Sequence, residues 1–105
     1  MDTAAALEIV RKFKHALERS GIPVKEVILF GSYATGTYTE GSDIDVVVVS
    51  KAFEGLNHWQ RIEKMTDALY ELFQPIETRA LTPAEWESAD SLTAAYARSG
   101  TLIPV

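Results

Sequence analysis

The stretch Gly31-Ser32-Tyr33-Ala34-Thr35-Gly36, followed twelve residues after its first glycine by Asp43-Ile44-Asp45-Val46-Val47-Val48-Val49, decides the reading of this chain. An apolar run, Val27-Ile28-Leu29-Phe30, leads into the first segment, and a polar loop from Gly36 to Gly41 joins it to the second. Four consecutive valines are β-branched and suit a strand buried on both faces, so Asp43 to Ser50 reads as the clearest strand. Lys25 to Phe30 reads as another, with Ser32 to Thr35 as a short helical turn behind it. One strand therefore ends in Gly-Ser, and the next opens with two carboxylates one residue apart. For Gly31-Ser32 to meet Asp43, the two strands must run antiparallel.

Side chains alternate across a strand, so Asp43 and Asp45 project to one face with Cα atoms about 6.5–7 Å apart. Such carboxylates can converge on one Mg²⁺, or on two ions about 3.5–4 Å apart that clamp the attacking and leaving oxygens of a displacement. Mg²⁺ prefers hard oxygen ligands and usually takes one or two carboxylates together with substrate phosphates. Glycine at position 31 lets the backbone approach those phosphates, while the Ser32 hydroxyl and the following N–H groups can donate to their oxygens. A lone Asp-x-Asp is also what a solvated strand start or a turn looks like. The spacing Gly-Ser-x10-Asp-x-Asp, with each half at a strand end, is what points to a metal-bound triphosphate.

Outward from this centre the chain alternates. Upstream, Ala6, Val10, Phe13 and Leu17 recur at helical spacing in a helix that Thr3 is expected to cap and Ser20-Gly21 to close, with Pro23 preventing continuation. Downstream, Asn57 caps a long helix whose inward face is read as Ile62, Met65, Leu69, Leu72 and Phe73, and Pro75 stops it. Ile76 to Leu81 follows as a third strand. Thr82-Pro83-Ala84-Glu85 is a capping box with proline at the first helical position. That last helix is expected to break near Asp90-Ser91 and resume to Arg98, and the apolar tail Thr101 to Val105 reads as an edge strand or a partner-binding segment. The order implies one α/β domain over residues 1–105, a small mixed β-sheet with flanking helices. The long helix is a crossover that returns the third strand parallel to the second, placing residues near its start beside the same site.

Composition narrows the classes. A chain of 105 residues holds one modest core, and 47% apolar with 24% charged residues is ordinary for a globular protein. No apolar run approaches the roughly 20 residues of a membrane span, and Met1-Asp2-Thr3-Ala4 has no secretory pattern. The absence of cysteine excludes disulfides and thiolate metal sites and fits a cytoplasmic protein. A net charge of -5 argues against duplex nucleic acid as the main partner. The apolar tail and the acidic balance suggest a complex, either a homo-oligomer or a hetero-oligomer.

Gly31-Ser32 with Ser42-Asp43-Ile44-Asp45-Val46-Val47-Val48 resembles the signature of the minimal nucleotidyltransferases, in the DNA polymerase β-like superfamily. The likeness runs from the leading helix through the third strand and Leu81-Thr82-Pro83-Ala84-Glu85-Trp86 to Ala97-Arg98-Ser99-Gly100-Thr101-Leu102. It implies the nucleotidyltransferase fold and transfer of AMP from ATP to a hydroxyl, with Mg²⁺ (two ions) and release of pyrophosphate. It also implies a HEPN-domain protein as partner, a toxin for which some members are antitoxins that adenylylate a tyrosine. Two positions depart from the family pattern: Thr35 stands where Arg is common, and Glu77 where the third acid is usually Asp.

Two functions follow. In the first, Asp43, Asp45 and Glu77 are catalytic and metal-binding, Gly31 and Ser32 hold the nucleotide, and the acceptor is a partner protein. In the second, the departures at Thr35 and Glu77 mark a binding module that neutralises a helical partner by docking alone. Elsewhere the plainer reading is taken. Glu85 serves its capping box, and Asp67 and Glu71 lie on a solvated helix face. His15 and His58 are surface residues, Tyr33 and Tyr38 pack the loop, Trp59 and Trp86 are partial core anchors, and Lys51 is a strand-end lysine.

Overall fold

The computed structural model describes residues 1–88 and 102–105. The elements run α1 (Thr3–Arg19), β1 (Glu26–Phe30), α2 (Ser32–Thr35), β2 (Ile44–Val49), a 3-10 turn (Lys51–Phe53), α3 (His58–Leu72), β3 (Ile76–Leu81), α4 (Pro83–Glu87) and β4 (Ile103–Pro104). The expected break near Asp90-Ser91 and resumption to Arg98 lie outside the described residues.

The strands form one mixed sheet in the order β3-β2-β1-β4. β1 and β2 pair antiparallel, with Glu26 opposite Val49 and Phe30 opposite Asp45. β2 and β3 pair parallel, with Asp45 opposite Glu77 and Val49 opposite Leu81. Both pairings are those the site required. The apolar tail forms an edge strand, Ile103 lying opposite Leu29.

β2 carries the core on both faces, and Val46, Val47, Val48 and Val49 are all fully buried. One face of the sheet, through Val27, Leu29, Ile44, Val46 and Val48, packs against Ala6, Val10, Phe13 and Leu17 of α1 and Met65 and Ala68 of α3. The other face gathers Ile28, Phe30, Val47, Val49 and Leu81, with Trp86 and Leu102 against them. Burying a Val, Leu, Ile or Phe side chain is worth about 1.5–3 kcal/mol each, so the valine strand is the mechanical centre of the fold.

Three local expectations are corrected. Asp2, not Thr3, caps α1, accepting from the Ala5 backbone N–H at 2.8 Å. The Thr3 hydroxyl instead donates to the Tyr33 carbonyl at 2.7 Å, tying α1 to the turn after β1. Phe73 is not on the inward face of α3. It stands at the C-cap with φ 48° and is 87% exposed, because the chain must reverse there before Pro75. Trp59 is 76% exposed and anchors no core. It follows the capping box formed by Asn57 and Gln60, on the solvent side of the first turn.

Arg61, which the sequence pattern did not single out, stitches three elements together. Its guanidinium donates to Leu56 O and Ala80 O, each at 3.0 Å, and to Glu85 Oε1 at 2.5 Å. Glu85 also accepts from the Thr82 N–H at 2.8 Å, completing the capping box of α4. Burial pushes the Glu85 carboxyl up, but the bonds from Arg61 and Thr82 outweigh it and hold the group below its ordinary 4.5. Stability drawn from Glu85 is therefore complete above that value and lost as pH falls through the lower folded one. Glu85→Gln, which keeps the cap, should lower unfolding free energy at pH 7 by about 0.5–1 kcal/mol, the pair being partly screened by solvent on the Glu85 side. Denaturant titrations should show the gap to wild type closing below pH 4.5.

Candidate active site

Gly31 ends β1 in a conformation reserved for glycine, φ 74° and ψ -154°. A Cβ built there would lie 2.3 Å from Oδ2 of Asp45. The glycine expected to let backbone approach a phosphate thus also makes room for the first half-buried carboxylate of β2. The turn behind it closes on itself. Ala34 and Thr35 donate through their N–H groups to Gly31 O, and Gly36 donates to Ser32 O at 2.9 Å. Gly36 is left-handed, φ 83°.

Thr35, in the position where the family pattern favours arginine, keeps its hydroxyl within this turn, 2.8 Å from that of Thr37. Tyr33 is buried and stacks on Tyr38 with centroids 4.8 Å apart and planes 16° off parallel. With the Thr3 bond to Tyr33 O, this pair fixes Gly31-Ser32 against the body of the protein.

The acids lie across from that turn. Asp43 is exposed just before β2, Asp45 is half-buried within it, and Glu77 is Asp45's partner on β3. The β2–β3 register places Asp45 and Glu77 on the sheet face opposite α1 and α3, with Asp43 two residues before Asp45, just ahead of the strand. Burial pushes the Asp45 carboxyl up from its ordinary 3.8, the charges of Glu77 and Asp43 push it further, and Arg79 pulls it back in part. A hydrogen bond with Glu77 adds to the rise. Asp45 therefore feels the charge of both other acids, and Glu77 is its direct neighbour across the β2–β3 pairing. Glu77 itself is engaged by Arg79, whose Nη2 donates to Oε1 at 2.6 Å.

Among the described residues, no three His, Asp or Glu side chains converge closely enough to hold a metal ion as they stand. The donor chemistry nonetheless suits Mg²⁺. Asp43 and Asp45 are hard oxygen donors, and a pair of carboxylates with phosphate oxygens is a usual Mg²⁺ set. Negative charge packed tightly enough to raise a neighbour's pKa is what a divalent cation relieves.

Other residues fall outside this cluster. Lys51 follows β2 at its far end, six residues or about 20 Å from Asp45, too distant to share its ligand. His58 is exposed, and among its neighbours Arg61 and Arg79 line a groove of about 310 Å³ with Leu56, Ala80, Leu81 and Glu85. A larger apolar groove of about 530 Å³ belongs to α3, lined by Thr66, Leu69, Tyr70, Phe73 and Gln74, and contains none of the acids. Arg79 pairs with Glu77 along β3. The two-residue spacing that joined Asp43 to Asp45 applies equally to Glu77 and Arg79.

Residues 10–87 match the nucleotidyltransferase domain family, and the chain belongs to it. A protein of Methanocaldococcus jannaschii provisionally named a protein adenylyltransferase is 40% identical over 60 residues, 56% of this chain and 61% of its own length. The match thus spans less than two thirds of that relative. A crystal structure provisionally named a nucleotidyltransferase superposes with TM-score 0.64 at 26% identity, covering 91% of this chain and 96% of that one. The mixed sheet with flanking helices is the fold they share. A structure described as a toxin-antitoxin with AMP-PNP has the same fold, with TM-score 0.55 at 24% identity over 79% of this chain and 61% of that one.

Gly31→Ala should destabilise the fold by about 1–3 kcal/mol from backbone strain alone, plus the displacement of Asp45, read by thermal unfolding. Because the Asp45 carboxyl is raised, its ionisation opposes folding. In metal-free protein the contribution of Asp45 to stability should fall as pH climbs from 3.8 through the raised folded value, against the opposite trend from Glu85. Asp45→Asn should abolish that slope and melt higher than wild type at pH 7 without metal, in scans across pH 3.5 to about 7.

Proposed function

We propose that this domain transfers AMP from ATP to a hydroxyl of a partner protein, releasing pyrophosphate, as the antitoxin of a HEPN-domain toxin. The observation that carries the reading is the placement of Asp45 and Glu77 on one sheet face beside the Gly31-Ser32 bend, with Asp43 just ahead of β2. The adenylyltransferase name of the Methanocaldococcus relative supports the reaction, and the description of the AMP-PNP structure supports the toxin partner.

Asp43 and Asp45 would hold Mg²⁺, one ion or two, together with phosphate oxygens. Bound there, the metal supplies charge neutralisation for the triphosphate and the departing pyrophosphate. Gly31 and Ser32 orient the triphosphate through backbone N–H groups and the hydroxyl. Glu77, opposite Asp45 on β3, completes the metal site or takes the acceptor's proton. The acceptor oxygen bonds to the α-phosphorus, and the bond from that phosphorus to the bridging oxygen breaks, so catalysis rests on alignment and electrostatics.

The alternative, a docking module without chemistry, is favoured by one observation: Glu77 is held by Arg79. One experiment separates the two. With Mg²⁺ and a HEPN-domain protein as acceptor, label from α-labelled ATP should remain on that protein, and label from γ-labelled ATP should not. Asp43→Asn with Asp45→Asn should reduce incorporation by about 10²-fold or more, the scale of losing transition-state charge stabilisation. Neutralisation of the partner that survives in this variant would establish the docking module instead.

A further inference from the structure

We propose that Arg79 is a positioning residue that occupies Glu77 until a divalent ion takes its place, and so sets the metal requirement of the site. This deepens the transferase reading and rests on it. Arg79 and Glu77 are two apart on β3 and share the sheet face that carries Asp45. Across the β2–β3 pairing, Glu77 faces Asp45 whereas Arg79 faces Val47, which is apolar and fully buried. The guanidinium therefore turns along its own strand to the acid, reaching Oε1 at 2.6 Å.

The two side chains are 42% and 45% exposed, so neither is locked by packing and both can exchange partners. Arg79 has somewhere to go. It also lines the groove of about 310 Å³ with His58 and Glu85, where Arg61 is already committed to Leu56 O, Ala80 O and Glu85. Glu77 likewise has an alternative next to it, in Asp45 and the cation that Asp45 would bind. An arginine paired with Glu77 neutralises part of the negative charge beside Asp45 when no metal is there. It must be displaced from Glu77 before that third carboxylate can serve a metal or an acceptor proton. The pairing that favours a docking module thus becomes, in this reading, the resting state of an active site.

The test is a four-member cycle of wild type, Arg79→Gln, Glu77→Gln and the double variant, each checked for folding by circular dichroism. Free Mn²⁺ is counted by electron paramagnetic resonance in the presence of a non-hydrolysable ATP analogue. Arg79→Gln should tighten Mn²⁺ binding roughly two- to fivefold, the range for releasing a partly exposed ion pair. In the Glu77→Gln background the same change should have no effect, because the competition it removes no longer exists. An unchanged or weakened affinity in Arg79→Gln overturns the proposal. Equal tightening in both backgrounds also overturns it, since it would mean only a long-range field of one positive charge. If wild type takes up no Mn²⁺ with the analogue, the metal-site reading falls together with this one, whereas a wild type that binds leaves that reading standing.

Discussion

The antiparallel register of β1 and β2 places the Asp45 carboxylate against the Gly31 backbone, and most of what distinguishes this protein depends on that approach. It requires a residue without a side chain at 31, in a backbone region where other residues are strained. It also requires β1 to stop at Phe30, so that the turn beginning at Ser32 rises beside the start of β2. The clip from Thr3 to Tyr33 O and the Tyr33–Tyr38 stack hold that turn from the outside. A β-branched strand buried on both faces holds Asp45 from the inside.

This arrangement works against stability locally. Half-burial and the neighbouring charges of Glu77 and Asp43 make the ionisation of Asp45 oppose folding. The remainder of the domain offsets the penalty with apolar burial along β2 and with the Arg61 network, which joins α3, β3 and α4 at the opposite end of β3. Strain at the candidate site and redundancy away from it are the usual division in an enzyme fold.

Much of the fold was legible because its signals are local. Period-4 and period-3 apolar spacing marked α1, the Asn57 and Thr82 caps marked the starts of α3 and α4, and the run of valines marked β2. The errors came where local chemistry has two equivalent outlets. Asp2 and Thr3 can each cap a helix, and which does so depends on whether Tyr33 O is near enough to capture the hydroxyl. Phe73 continues the apolar spacing of α3, yet the reversal before Pro75 turns it out to solvent. Trp59 is large and apolar, but the Asn57 cap fixes the phase of the helix and leaves it on the outer side.

By itself the sequence determined the strand order along the chain, the antiparallel and parallel pairings around the bend, and the identity of the acids that share a face. These follow from the two-residue repeat of a strand and the limited ways a helix can return one. Only the tertiary structure decided how those acids are engaged: Asp45 pressed on Gly31 and coupled to its neighbours, Glu77 drawn to Arg79, Arg61 spent on the β3 edge. Long charged side chains choose among partners within several ångströms. That choice is settled by burial and competing charge in three dimensions, which spacing along a chain does not encode.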